Sequence, residues 1–321
     1  MPARPREKIW VVREGDGKTV ADIVARAGES STSVADGRVF IGKKRATRAD
    51  QRVSPGDTIR IGAARGPGPG AITPKIEILF REGGLVACAK PAGLPTVPDQ
   101  AGAAHSLVAL VAREIGAKKL EDLRVTSRLD RDVSGVVVFA LDAAAEERLR
   151  TARAEGRYQR RYVALASMKT AVADGGAWDA AIGRAADPRL RAARGPDAKE
   201  ARTRWRKVAS ASAGELAVAM LAVDPITGRT HQIRIHASDA GAPLLGDRDY
   251  GGPSRIVLPS GRILAPARIA LHAARVIVPG PRGPIEARAP IPAELRELWT
   301  ALGGEPDAWD RAVEMSTTSE G

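Results

Sequence analysis

The chain has 321 residues, 44% of them hydrophobic, and carries a formal charge of +12 with a pI of about 10.3. That length calls for one large or two domains, and the charge favours a polyanionic partner, nucleic acid first and an anionic membrane second. The one cysteine, Cys88, excludes a disulfide within the chain, no apolar run approaches the ~20 residues of a membrane span, and the N-terminal MPARPREKIW lacks the apolar core of a signal peptide. A soluble protein of the reducing cytoplasm is expected.

The first unit spans residues 1–66. GKTVADIVARAG sets Val20, Ile23, Val24 and Ala27 on one helix face, and GRVFIGKKRATRADQRVSPGDTIRIG reads as short strands. Val39 and Ile41 alternate, as do Ile59 and Ile61, and Pro55-Gly56-Asp57 marks a tight turn. This unit holds 14 Lys/Arg against 8 Asp/Glu, a net of +6, and groups Lys43, Lys44 and Arg45 at a strand–turn edge. Residues 67–75, rich in Gly and Pro, read as a linker.

The second unit spans residues 76–302. KIEILFREGGLVACAKPAGLPTVP predicts two strands joined at Glu82-Gly83-Gly84, then a Pro-rich loop. HSLVALVAREIG predicts a helix with Leu107, Leu110 and Val111 on one face. GVVVFAL predicts a buried strand. DAAAEERLRTARAEG predicts a helix capped by Asp142 and stopped at Gly156. Strands are expected at RRYVALAS, ARTRWRKVAS, ELAVAMLAVD, LHAARVIVPG and PIEARAP. THQIRIHASDAG predicts a helix capped by Thr230, and PAELRELWTAL one that starts at Pro292. Residues 303–321 read as a polar, frayed tail. Strands dominate without regular strand–helix alternation. The expected fold class is therefore α+β, a mixed, largely antiparallel sheet preceded by a small N-terminal α/β domain.

Two segments carry chemistry. In VTSRLDRDVSGVVVFALD, Asp130 stands between arginines at the mouth of an apolar strand. In GRTHQIRIHASDAGAPLLGDRDYGG, Arg234 shares a helix face with Thr230 and His231, ahead of a Gly/Asp loop. An arginine beside a partly buried aspartate favours its ionised form, and an oriented carboxylate can act as a nucleophile. The commoner fate of such an aspartate is a surface ion pair. Neither segment forms a phosphate-binding loop, and the histidines lack metal-site spacing, so no metal is expected.

SRLDRDVSGVVVFA resembles the H-R-L-D-x-x-T-S-G motif of the RluA-type pseudouridine synthases. AKPAGLPTVP resembles that family's K-P-x-G loop, RRYVALA its K-x-Y segment, GRTHQIRIHASDAGAPLLGDRDYG its third motif, and IALHAARVIVPGP its late L-H-A strand. The five occur in order over residues 76–300. Residues 1–66 more weakly resemble the alpha-L RNA-binding domain of the ribosomal S-four type.

The resemblance implies isomerisation of uridine to pseudouridine in RNA, without cofactor or metal. It implies Asp130 as nucleophile or base, Arg234 as its partner and Tyr162 as the residue stacking on the target base. Arg128 would fill the gap left by the extruded nucleotide. RNA contacts are expected from Lys90, Arg128, Arg131, Arg229, His231 and Gln232 around the site, and from Lys43, Lys44 and Arg45 in the first unit. The RNA is expected to be large-subunit rRNA first and tRNA second, and the protein a monomer. Three positions depart from the family pattern: Ser127 for His, Val133 for Thr or Ser, and Arg160 for Lys. Two other readings compete, a non-catalytic RNA-binding or ribosome-assembly protein on the same fold and a hydrolase using Asp130 with His231. The first would be favoured had Asp130 or Arg234 been replaced, and both are present; the second lacks a complete nucleophile–base–orienter set.

Overall fold

A computed structural model describes residues 8–29, 32–35, 39–42, 44–46, 48–61, 75–98, 106–168 and 173–317. Lys43 and nearly all of the expected linker lie outside the described residues. Two compact units meet in sequence at Lys75 and Ile76.

In the first unit, β1 (Lys8–Val11), α1 (Val20–Arg26), α2 (Thr32–Ala35), β2 (Val39–Ile41), β3 (Lys44–Arg45) and β4 (Thr58–Ile61) build a four-stranded sheet of order β1-β4-β2-β3. Helix α1 starts at a capping box, in which the Asp22 carboxylate accepts the Thr19 N–H at 2.9 Å. Its buried Val20, Ile23 and Val24 pack on Val39, Ile59 and Ile61, so the alternation read from the sequence is the small core of this unit. Lys44 and Arg45 form the edge strand β3.

The second unit opens with the hairpin of β5 (Glu77–Glu82) and β6 (Leu85–Lys90), followed by α3 (Leu107–Glu114), β7 (Arg124–Val125), β8 (Ser134–Ala140) and α4 (Ala143–Ala154). Next come β9 (Gln159–Met168), β10 (Gly175–Trp178), the short hairpin β11 (Ile182–Arg184) and β12 (Arg191–Ala193), then β13 (Thr203–Ala213) and β14 (Leu216–Pro225). The chain continues through α5 (Gln232–Asp239), β15 (Ile256–Val257), β16 (Ile263–Leu264), β17 (Leu271–Pro279), β18 (Pro284–Arg288), α6 (Ala293–Ala301) and α7 (Ala308–Glu314). The main sheet runs β10-β13-β14-β9-β17-β8-β6-β5, with β18 added to β17 and β7 to β8. Its pairs are antiparallel except β17 with β8, so the sheet is mixed and largely antiparallel, as the sequence suggested.

All seven residues of β8 are buried because both faces of the sheet are covered. Val137 and Phe139 join a core with Leu107, Leu110 and Val111 of α3 and Ile233 and Ala237 of α5. Val136, Val138 and Ala140 pack with Ala145, Leu149 and Ala152 of α4. The parallel pairing at the start of β8 requires Gly135, since a Cβ there would lie 2.2 Å from the Ala273 carbonyl oxygen. Cys88 is wholly buried, and burial pushes its thiol up to about 12, consistent with packing.

Two expectations need correction. The C-terminal segment is ordered through Thr317: α7 buries Ala308, Trp309 and Ala312 against Val163, Val218 and Met220. The acidic and basic residues interspersed in AWDRAVE hide this apolar face in the sequence. Helix α5 is entered through His231, at φ 58°, in place of a Thr230 cap. Among the described residues no helix is long and apolar enough to cross a membrane.

Candidate active site

Asp130 sits on the turn that leads into β8, and the KPAG loop holds that turn. Buried Lys90 donates from Nζ to the carbonyls of Pro91, Arg131 and Val133 at 3.1, 3.0 and 2.7 Å. Those bonds use all three ammonium donors. The Gly93 N–H donates to the Arg131 carbonyl at 2.8 Å, and the Thr96 hydroxyl bridges the Leu129 backbone at 2.8 and 3.1 Å. Burial draws the Lys90 ammonium down to about 7, with Asp130 and Asp132 opposing. Leu129 is buried and anchors the turn, leaving Asp130 half-buried and Arg128, Arg131 and Asp132 exposed.

Arg234 approaches from α5. Its Nη1 donates to Asp130 Oδ2 at 3.1 Å, its Nε and Nη2 to Asp247 at 2.7 and 2.8 Å, and Nη2 also to Asp249 at 2.9 Å. Burial opposes the charge of Arg234, and the carboxylates, Asp247 foremost, override it and hold the guanidinium charged. The guanidinium lies over the Tyr250 ring, 4.8 Å from its centre. Gly246, at φ 78°, permits the tight loop that turns Asp247 inward; a Cβ there would meet the Arg268 carbonyl oxygen at 2.1 Å.

His231 Nε2 lies 3.9 Å from Asp130 Oδ2, and its Nδ1 is 2.8 Å from the Tyr250 hydroxyl. Burial, opposed by Asp130 and aided by the charge of Arg234, lowers the His231 pKa. A cavity of about 280 Å3 opens over these groups, lined by Asp130, Asp132, His231, Arg234 and Asp249, with Arg131, Arg189, Leu190 and Ile269.

The other expected site residues divide clearly. Arg128 is exposed beside Asp130, and Arg131 is fixed through Nε to the Gly93 carbonyl at 3.0 Å. Arg229 is exposed, with Nε on the Glu200 carbonyl at 2.9 Å. Lys90 and Gln232 are not free to touch RNA. The Gln232 amide accepts from Thr227 and the Arg229 N–H and donates to Arg202 and Thr203, all at 2.6 to 3.0 Å, so its hydrogen-bonding capacity is filled. Both are internal braces, although the motifs that hold them suggested contact with RNA. Tyr162 is buried in the core with Leu129, Val133 and Ile233, and burial pushes its phenol up to about 12.

Two of the three departures, Ser127 and Arg160, have local hydrogen-bond partners. Ser127 Oγ donates to the Val138 carbonyl and accepts from the Tyr158 hydroxyl, each at 3.4 Å. Arg160 braces the approach to α5 through Nη2, which donates to Pro225 and Thr227 carbonyls at 2.8 Å. Asp247, Asp249, Tyr250 and Arg189 were missed as individual residues. The first three sit in the Gly/Asp loop of LLGDRDYGG, whose juxtaposed glycines and aspartates were the available signal. Arg189 lies in a basic stretch, residues 181–207, that holds 9 Lys/Arg against 3 Asp/Glu; that signal marked a zone and not the residue.

The arrangement presents a carboxylate, oriented by a guanidinium and faced by an imidazole, in an open cavity. The family profile described as RNA pseudouridylate synthase matches residues 84–239. The chain is 32% identical over 230 residues to the uncharacterized RNA pseudouridine synthase YhcT of Bacillus subtilis, covering 70% of this chain and 71% of that protein. It is also 32% identical over 237 residues to the ribosomal large subunit pseudouridine synthase D of Xanthomonas campestris, covering 71% and 69%. The solved structure of human RNA pseudouridylate synthase domain containing 1 matches in fold with a TM-score of 0.55 at 23% identity, covering 73% of this chain and 97% of that one. Residues 84–239 contain both Asp130 and Arg234, and the likeness to these relatives extends over more than two thirds of the sequence: the chain belongs to the RNA pseudouridine synthases, enzymes that isomerise uridine in RNA.

Proposed function

We propose that the protein converts uridine to pseudouridine in large-subunit ribosomal RNA, with tRNA as the second candidate, and that Asp130 performs the chemistry. The observation that carries this reading is the Asp130–Arg234 pair, joined at 3.1 Å in an open cavity on the family's fold. The ribosomal substrate is supported by the similarity to a large-subunit enzyme.

In the proposed reaction the bond from uracil N1 to ribose C1′ breaks, the uracil turns, and a bond from C5 to C1′ forms. The C5 proton leaves and N1 is protonated, so the change is redox-neutral. Asp130 attacks the nucleotide or acts as base, held in place by Arg234. Tyr162, in the same core cluster as Leu129 and Val133 of the turn that carries Asp130, is the proposed aromatic face for the uracil. Exposed Arg128 is assigned to the gap left in the RNA stack. Residues 1–66 are assigned to RNA binding through their net positive charge.

Tritium release from RNA labelled at uridine C5 tests the reaction. Wild-type protein should release tritium from a large-subunit rRNA transcript, and Asp130→Asn should not. Release at the wild-type rate from the variant would refute the role of Asp130. Pseudouridine mapping in a deletion strain against its parent identifies the RNA and the position.

A further inference from the structure

Three carboxylates, Asp130, Asp132 and Asp249, line the cavity alongside three guanidiniums, those of Arg131, Arg189 and Arg234. Arg234 is fully engaged, since Nε, Nη1 and Nη2 all donate to carboxylates and its side chain is only 5% exposed. A nucleotide entering from an RNA strand brings a phosphate on each side. The carboxylates repel those phosphates, and within the cavity lining the compensating charge available is that of the other two guanidiniums.

Arg131 stands on the turn that carries Asp130. Arg189 stands on a different element, the loop joining β11 to β12. That hairpin is anchored without the Arg189 side chain. Ile182 and Ala193 pack with Ile235 and Tyr250, and the Arg191 N–H donates to the Tyr250 hydroxyl at 3.1 Å. Arg194 pairs with Asp239 at 2.8 Å, and Ile182 and Lys199 exchange backbone hydrogen bonds at 2.9 Å. The Arg189 side chain is 85% exposed and pairs with Asp187, two residues away, at 2.6 Å. Such an exposed pair orients the fork and yields readily to a stronger anion.

We propose that Arg189 is a phosphate contact for the substrate strand at the mouth of the cavity, acting with Arg131 from the catalytic turn. The proposal rests on RNA being the substrate and adds a residue that binds the strand without touching the reacting atoms.

The test uses the full chain with Arg189→Ala, Arg189→Lys and Arg189→Glu. Unmodified large-subunit rRNA and tRNA transcripts serve as probes for tritium release and for filter binding across a salt series. Arg189→Ala should raise KM roughly fivefold at low salt while changing kcat less than about twofold. Its log–log salt slope should flatten by about 0.7. Arg189→Lys should keep the wild-type slope, because an ammonium still neutralises a phosphate, and Arg189→Glu should bind more weakly than Arg189→Ala. Unchanged KM and slope in Arg189→Ala, with an active wild type, would overturn the role of Arg189 alone. A fall in kcat at constant KM would also overturn it, by showing that the hairpin acts on the catalytic groups. A wild type that neither binds nor modifies either RNA would overturn the RNA reading, and the role of Arg189 with it.

Discussion

Arg234 and Asp247 form a two-pronged ion pair, Nε to Oδ2 at 2.7 Å and Nη2 to Oδ1 at 2.8 Å, that turns the remaining nitrogen, Nη1, toward Asp130. A planar fork gripped along one edge has no rotational freedom left, so the position of Asp247 sets the direction of the donor that meets Asp130. Arg234→Lys should keep a charge but lose this geometry, lowering kcat more than it raises KM. Arg234→Ala should also destabilise the fold by about 3–5 kcal/mol, because it leaves the buried Asp247 carboxylate unpaired. Urea titration and steady-state tritium release measure the two effects. A Lys variant with wild-type kcat would show that the fork is dispensable.

Asp130→Asn is nearly isosteric and lies at a half-buried position. Turnover should fall by roughly three orders of magnitude or more, since an amide cannot act as the nucleophile. RNA affinity and the thermal midpoint should stay close to wild type. Loss of RNA binding in parallel with activity would move Asp130 from chemistry to binding.

Lys90→Met fills similar space and removes three hydrogen bonds from the turn that carries Asp130. Withdrawing the ammonium from the Pro91, Arg131 and Val133 carbonyls should cost about 2–4 kcal/mol and reduce activity through misplacement of Asp130. Denaturant unfolding and tritium release on the same preparation check both. A variant that loses only RNA affinity would return Lys90 to the RNA surface.

The buried histidines set an acid limit. Burial lowers the pKa of His236 and of His272, the latter to about 4, from the ordinary 6.5. As pH falls through 6.5 the unfolded chain takes up protons that the folded chain refuses, so stability falls with acidification. The His272 contribution is fully lost once pH passes below about 4. Unfolding free energies measured between pH 7.5 and ~4.5 should decline, and His272→Gln should flatten that decline. Equal pH slopes in the two proteins would exclude His272 as a source.

Removal of residues 1–66 should weaken RNA binding more than it slows chemistry on saturating substrate. The segment carries 14 Lys/Arg against 8 Asp/Glu and has its own core, built on Val20, Ile23, Val39 and Ile59. For every phosphate that the truncated protein no longer neutralises, the log–log salt slope should flatten by roughly 0.7–0.9. Full-length and truncated proteins with identical slopes and affinities would show that this unit does not hold the substrate.

The sequence by itself determined the elements whose signal is local. The apolar run before Leu141 became a strand buried on every residue, and Asp142 and Gly156 bounded α4 where capping chemistry placed them. Asp130 and Arg234 were legible because each sits in a dense polar motif at the edge of an apolar element. The helix at Ala308–Glu314 escaped notice because its charged residues mask an apolar face that matters only against a sheet.

Only the tertiary structure decided what each polar residue touches. Lys90 and Gln232 look like surface groups in the sequence; burial turned them into braces, because a buried donor or acceptor must find its partner inside the protein. Asp247 and Tyr250 became supports of Arg234 only when a tight loop folded them under α5. Arg189, 59 residues from Asp130 in the chain, reached the cavity through the packing of a short hairpin on Ile235 and Tyr250. Hydrophobic periodicity and capping act over a few neighbouring residues and can be read along the chain, whereas charge pairing and polar satisfaction depend on three-dimensional distance, which the fold alone supplies.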